Sequence, residues 1–145
     1  MLSFENILDD FIESGKLQIA IIGKGKSIDN IDSKKLDEFY VINLNDSEAI
    51  YAGDICITYY DWAKENIQYL GNKCKFYVTD SPWNDERNYL ILDRISENPE
   101  EILPIQMRFF DEETYLEDVV LITALKIANW ISNKSRRRLD VILLG

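Results

Sequence analysis

Six short stretches of this chain are apolar nearly throughout, and five of them alternate with segments of helical spacing. The clearest is 17–23 (LQIAIIG), followed by 40–44 (YVINL), 54–60 (DICITYY), 74–79 (CKFYVT), 102–110 and 141–144. A strand with water on one face alternates apolar and polar residues, whereas a strand buried on both faces reads as a continuous β-branched run. Such runs separated by helices predict a parallel sheet with right-handed crossovers. The expected fold is therefore an α/β domain of Rossmann type, with a predominantly parallel sheet and helices on both faces.

The intervening segments carry the helical signal. Phe4, Ile7, Leu8, Phe11 and Ile12 form one apolar stripe, which Ser14 and Gly15 stop. Short helices are expected over 33–39 and 62–70. A further helix is expected over 84–96 from Tyr89, Leu90, Leu92 and Ile95, and a long one over 114–133. Pro104 places the 102–110 run at a sheet edge or gives it a late start. No linker or repeat interrupts the 145 residues, which read as one domain. A final run closing on Gly145 reads as a buried strand, as in a shortened chain or one half of a longer protein.

Composition removes several functions. A net charge of −10 argues against nucleic acid, which needs a clustered basic face, and against anionic membranes. With no histidine, the chain lacks the commonest general base and metal ligand. The acidic pairs and triplets, Asp9-Asp10, Asp85-Glu86 and 111–113, lack the D-x-D form of a metal-dependent sugar transferase, so no metal site is expected. Cys56 and Cys74 sit in apolar runs and read as buried thiols in a reducing compartment. No signal peptide or apolar span is present, which makes the cytoplasm the expected location.

In open parallel sheets, ligands bind outside the carboxyl ends of the strands, where the strand order reverses. After the first strand come Gly23, Lys24, Gly25, Lys26 and Ser27, a loop whose glycines let the backbone turn and whose amides can face an anion. It lacks the third glycine of dinucleotide folds and is not a Walker A loop, which weakens NAD and ATP as ligands. Asn43, Asn45 and Asp46 at the second strand could bond a ribose or base edge, or could equally be turn and capping residues. Thr79, Asp80 and Ser81 after the fourth run read the same two ways. Tyr59, Tyr60 and Trp62 could stack on a base but fit a core role better. Arg136, Arg137 and Arg138 complement a helix carboxyl end.

Residues 21–28 (IIGKGKSI), with Ile31, Asp32, Leu36 and 39–43 (FYVIN), resemble the opening of bacterial CMP-sialic acid transferases of GT-A-like Rossmann fold. They are similar also to the related domain of motility-associated, flagellin-glycosylating proteins and to pterin diphosphokinase-like proteins. The resemblance runs to the end of the chain, through a long helix and 141–145 (VILLG), and covers the first part of a full-length enzyme. It implies a nucleotide-sugar-binding domain of a glycosyltransferase-like protein of bacterial surface glycan synthesis, with a CMP-sugar donor and no resident cofactor. Gly23, Gly25 and Ser27 would line the phosphate or ribose, and Asn43 would contact the nucleotide. The catalytic histidine would lie beyond Gly145, leaving the isolated chain without sugar transfer. Lys26 stands where the family has proline, and 114–117 (TYLE) lacks the small Ser-Gly pair of the family. The alternative is a noncatalytic Rossmann-like interaction or regulatory module.

Overall fold

The computed structural model describes residues 2–70, 73–83, 86–95 and 115–145. Six strands, β1 (Gln18–Ile22), β2 (Tyr40–Leu44), β3 (Ile55–Ile57), β4 (Phe76–Thr79), β5 (Tyr89–Ile91) and β6 (Asp140–Leu144), form one sheet in the order β5-β4-β3-β2-β1-β6. Every pairing is parallel. The expected α/β fold of Rossmann type is what the chain adopts.

The chain steps outward from β1 to β5 in one direction, then returns to place β6 on the other side of β1. That return makes β1/β6 the switch point of the sheet, and β1 runs through its interior. The burial of Ile19 to Ile22 on both sides of the pleat explains its unbroken apolar sequence. Ile19 and Ile21 enter a core that includes Ile7 and Phe11 of α1 (Phe4–Ser14) and Ala124, Ile127 and Ile131 of the long helix α4 (Val120–Ser135). Ala20 and Ile22 point the opposite way and pack with Ile28 and Leu36, from a 3-10 turn (Lys26–Asn30) and α2 (Ser33–Leu36). Cys56 of β3 joins Tyr77 and Ile67, the last from α3 (Asp61–Gln68).

Helix ends follow the local sequence. Asn6 Oδ1 accepts from the Ser3 amide at 2.7 Å at the start of α1, and Gly15 closes it in the left-handed region at φ 69. Asp32 caps α2 by accepting from the Lys34 amide. Arg136 ends α4 with φ 55.

Three sequence expectations are corrected. The final run, expected as a buried strand, is the edge strand β6, whose Val141 and Leu143 are exposed because no strand of the described residues covers its outer side. The helix expected over 84–96 is replaced, within its described part, by β5. Tyr77, Val78 and Thr79 pair with Tyr89, Leu90 and Ile91, so a tertiary partner decides a run too short for periodicity to settle. The long helix begins at Val120 instead of 114, because Leu116 forms a parallel bridge with Arg94. Its amide donates to Asp93 O and its carbonyl accepts from Ile95 N, both at 2.9 Å. Residue 114, the run 102–110 and the acids 111–113 lie outside the described residues.

Candidate functional site

The GKGKS loop leaves β1 at the switch point and packs against the carboxyl end of β6. The Gly23 amide donates to Leu144 O at 2.7 Å, and the Gly145 amide donates to Ser27 Oγ at 2.8 Å. Gly25 has φ −79, an ordinary value for any residue, so its glycine is not there for a rare backbone conformation. A Cβ on Gly25 would lie 1.9 Å from the Gly145 carbonyl carbon. The glycine is required by the close passage of two chain segments. Among the described residues, the amides of Lys24, Gly25 and Lys26 have no recorded acceptor. Lys24 and Lys26 are exposed.

β2 delivers a different set of groups. Asn43 is fully buried within the strand, and its side chain is occupied from every direction. Its Nδ2 donates to Ser47 Oγ at 3.0 Å and Tyr51 O at 2.7 Å, while Oδ1 accepts from the Gly53 amide at 2.8 Å and the Cys74 thiol at 3.4 Å. Ser47 Oγ in turn donates to Ile22 O at 2.9 Å, tying the clamp to β1. Asn43 thus fixes the 47–53 turn beneath the loop. Asn45 turns the chain at φ 52, a conformation that asparagine tolerates, and accepts from Thr58 Oγ1 at 3.1 Å.

Asp46 is the exception. It is 4% exposed, and Oδ2 accepts from Lys24 Nζ at 3.1 Å and from Asn66 Nδ2 at 3.0 Å. Its other oxygen, Oδ1, is buried without a hydrogen-bond partner. Lys24 therefore belongs both to the glycine loop and to the carboxylate at the end of β2.

At the end of β4, Thr79, Asp80 and Ser81 are drawn into an internal lock. Lys64 Nζ, from the buried side of α3, donates to Asp80 Oδ1 at 2.8 Å, Ser81 Oγ at 3.0 Å and Ser81 O at 3.2 Å. Burial alone would raise the Asp80 carboxyl, but the bond and charge of Lys64 outweigh it and hold the group below the usual carboxylate range. The Tyr59 ring is buried under the Arg94 guanidinium, 4.4 Å from the ring centre. Burial, then the hydrogen bond with Tyr60, push the Tyr59 phenol up to about 12. Trp62 stacks on Tyr60 at 6.0 Å and remains 52% exposed, one turn before Asn66 on the same face of α3.

The site residues expected from sequence therefore divide. Gly23 to Ser27 lie at the carboxyl edge of β1 against β6, while Asn45, after β2, is bonded to Ile57 and Thr58 at the end of β3. Asn43 lies beneath them as a support, and Thr79, Asp80 and Ser81 form a separate cluster held by Lys64. A scan of protein-family models finds none that matches the chain, and searches of curated proteins and of solved structures likewise return no match.

Sequence reasoning missed a buried network behind β2. Arg87 Nη1 donates to the Tyr77 hydroxyl at 2.6 Å and Nη2 to Ile67 O at 2.9 Å, while Tyr77 donates to Glu48 Oε1 at 2.9 Å. Burial keeps the Tyr77 phenol protonated far above neutral pH, which fixes it as donor to Glu48. The network joins the Asp46-Ser47 turn to α3 and β4. No local pattern announces it, since Glu48 and Arg87 each read as an ordinary surface charge. Among the described residues, no helix is long and apolar enough to cross a membrane.

Proposed function

We propose that this chain is the nucleotide-sugar-binding part of a cytoplasmic, glycosyltransferase-like protein of bacterial surface glycan synthesis, with a CMP-sugar as donor. The observation that carries the reading is the position of the GKGKS loop at the β1/β6 switch point. Supporting it, the amides of Lys24, Gly25 and Lys26 have no acceptor among the described residues, at the edge where such sheets take their ligands. In this reading the loop amides and the ammonium groups of Lys24 and Lys26 hold the phosphate and stabilise its charge as the nucleotide leaves. The chemistry would be direct displacement at the anomeric carbon of the donor, with the base supplied from outside these residues. In this reading Asp46, paired with Lys24, would border the sugar side of the phosphate, and Trp62 would offer an exposed ring from α3.

One observation favours a second reading, a noncatalytic Rossmann-like module. Every hydrogen-bonding position of the Asn43 amide is taken by protein, so the residue that the family resemblance assigns to the nucleotide is not offered to a ligand. Ligand-observed NMR with CMP, UDP, GDP and NAD separates the two. The first reading expects saturation transfer to CMP above the others, lost when Lys24 and Lys26 are both replaced by alanine. Absence of transfer to any nucleotide would leave the noncatalytic module.

A further inference from the structure

The outer face of α3 presents aromatic rings where a solvated helix face ordinarily carries charge. Trp62 and Tyr69 stand seven residues apart on one stripe, the first half-exposed and the second 82% exposed. The indole is braced: it lies within 19° of parallel to the Tyr60 ring, whose hydroxyl donates to Asp118 O at 3.1 Å. Glu65 stands between the two rings on the same stripe, and Asp61 adjoins Trp62 in the first turn. Both carboxylates are exposed and have no recorded partner among the described residues. The nearby lysines do not neutralise them, since Lys64 is buried against Asp80 and Lys24 is paired with Asp46. Fixed aromatic faces beside unpaired carboxylates complement a cation that can stack, and a net charge of −10 favours its approach.

We propose that this face of α3 docks an arginine-bearing segment of another protein. A guanidinium lies flat on the Trp62 indole while its in-plane N–H groups reach the Glu65 carboxylate. Lysine, a compact ammonium without a plane or a fork, makes that double contact less well. The two rings lie roughly 10 Å apart along the helix axis, about the span of three extended residues. The partner segment therefore carries two arginines three positions apart, the second of them on Tyr69. The inference does not rest on the nucleotide reading, which the glycine loop carries and which stands if Trp62 serves a protein instead.

The test is an NMR titration read at the Trp62 indole N–H, with capped hexapeptides that carry arginine, citrulline, lysine or glutamate at two positions three apart. Citrulline keeps the shape of arginine without its charge. The arginine peptide should bind about five- to thirtyfold more tightly than the citrulline peptide, the range for a cation over an aromatic face. Lysine should fall between them, and the glutamate peptide should leave the indole unmoved. Trp62→Leu, which keeps an apolar side chain without a π face, should close most of the gap. Glu65→Gln should weaken the arginine peptide and flatten its salt dependence. If Trp62→Leu fails to fold, the arginine and citrulline peptides on wild type still decide. Equal binding of those two, or no binding of the arginine peptide, overturns the proposal. Arginine binding that is unchanged in Trp62→Leu also overturns it, since net charge alone then draws the peptide. An indole shift that appears on concentrating the protein alone, and that Arg137→Gln abolishes, makes a second copy the occupant and overturns the foreign partner.

Discussion

Replacing Gly25 with alanine tests whether the glycine loop is built for its neighbour or for a ligand. At φ −79 alanine costs nothing in backbone conformation. Its Cβ, however, would stand 1.9 Å from the Gly145 carbonyl carbon, 2.6 Å from the oxygen and 2.9 Å from the Cα. These are backbone atoms, which no rotamer change can clear, so the end of β6 must move away. The movement breaks the Gly23–Leu144 and Gly145–Ser27 hydrogen bonds. At about 0.5–1.5 kcal/mol each, their loss amounts to about 1–3 kcal/mol. Gly23→Ala is the internal control, because its Cβ would meet Leu144 O at 3.7 Å and Gly145 Cα at 4.0 Å, both ordinary contacts. Urea unfolding should therefore show Gly25→Ala less stable than Gly23→Ala by that margin. Amide exchange should quicken at Gly23 and Gly145 in the first variant alone. Equal stability and unchanged exchange in the two variants would refute the packing account.

Three further outcomes are expected. Arg87→Met should cost about 3–5 kcal/mol in chemical unfolding, because it strips the guanidinium from the buried Glu48 and Tyr77. The double variant with Glu48→Gln should lose less than the sum of the single changes, and additivity would refute the network. Because Lys64 lowers the Asp80 carboxyl from its ordinary 3.8, the pair stabilises the fold fully above about pH 4. Its contribution is lost as pH falls through the lowered value, so acid unfolding curves of wild type and Lys64→Met should converge at low pH; a constant offset would refute the assignment. Cys56 and Cys74 are buried thiols that burial pushes well above their ordinary value. At pH 8 a thiol reagent should label them slowly in the native protein and quickly in denaturant, and equal rates would refute their burial.

The parts of the fold legible in the sequence are those where one force dominates. β1 and β2 announce themselves because strands packed on both faces need apolar residues in succession, and Gly15 ends α1 because the left-handed position favours glycine. β5 was hidden, since Tyr89, Leu90 and Leu92 fit a helical spacing as well as a strand, and only pairing with β4 decides. The start of α4 was hidden for the same reason, through the bridge of Leu116 with Arg94. The glycine loop was legible as the segment that follows β1, but the need for Gly25 was not, since it comes from the close approach of Gly145 after β6. Asn43 illustrates the limit most clearly. An asparagine on a β2 strand can face a ligand or clamp a turn, and its choice is made by Ser47, Tyr51, Gly53 and Cys74, none of which marks itself as a partner in advance.

The order β5-β4-β3-β2-β1-β6 also has a consequence for assembly. Four of the five strand pairings join sequence neighbours, which close short loops and can form as the chain emerges. The fifth, β1 with β6, joins segments from opposite ends of the sequence and carries the largest closure entropy. Until it forms, one edge of β1 stays open and the loop residues Gly23 and Ser27 lack their partners on β6. The arrangement of the glycine loop is therefore a late product of folding, complete only when β6 has paired with β1. An intermediate holding the other five strands has most of the sheet, with the loop after β1 not yet fixed in place.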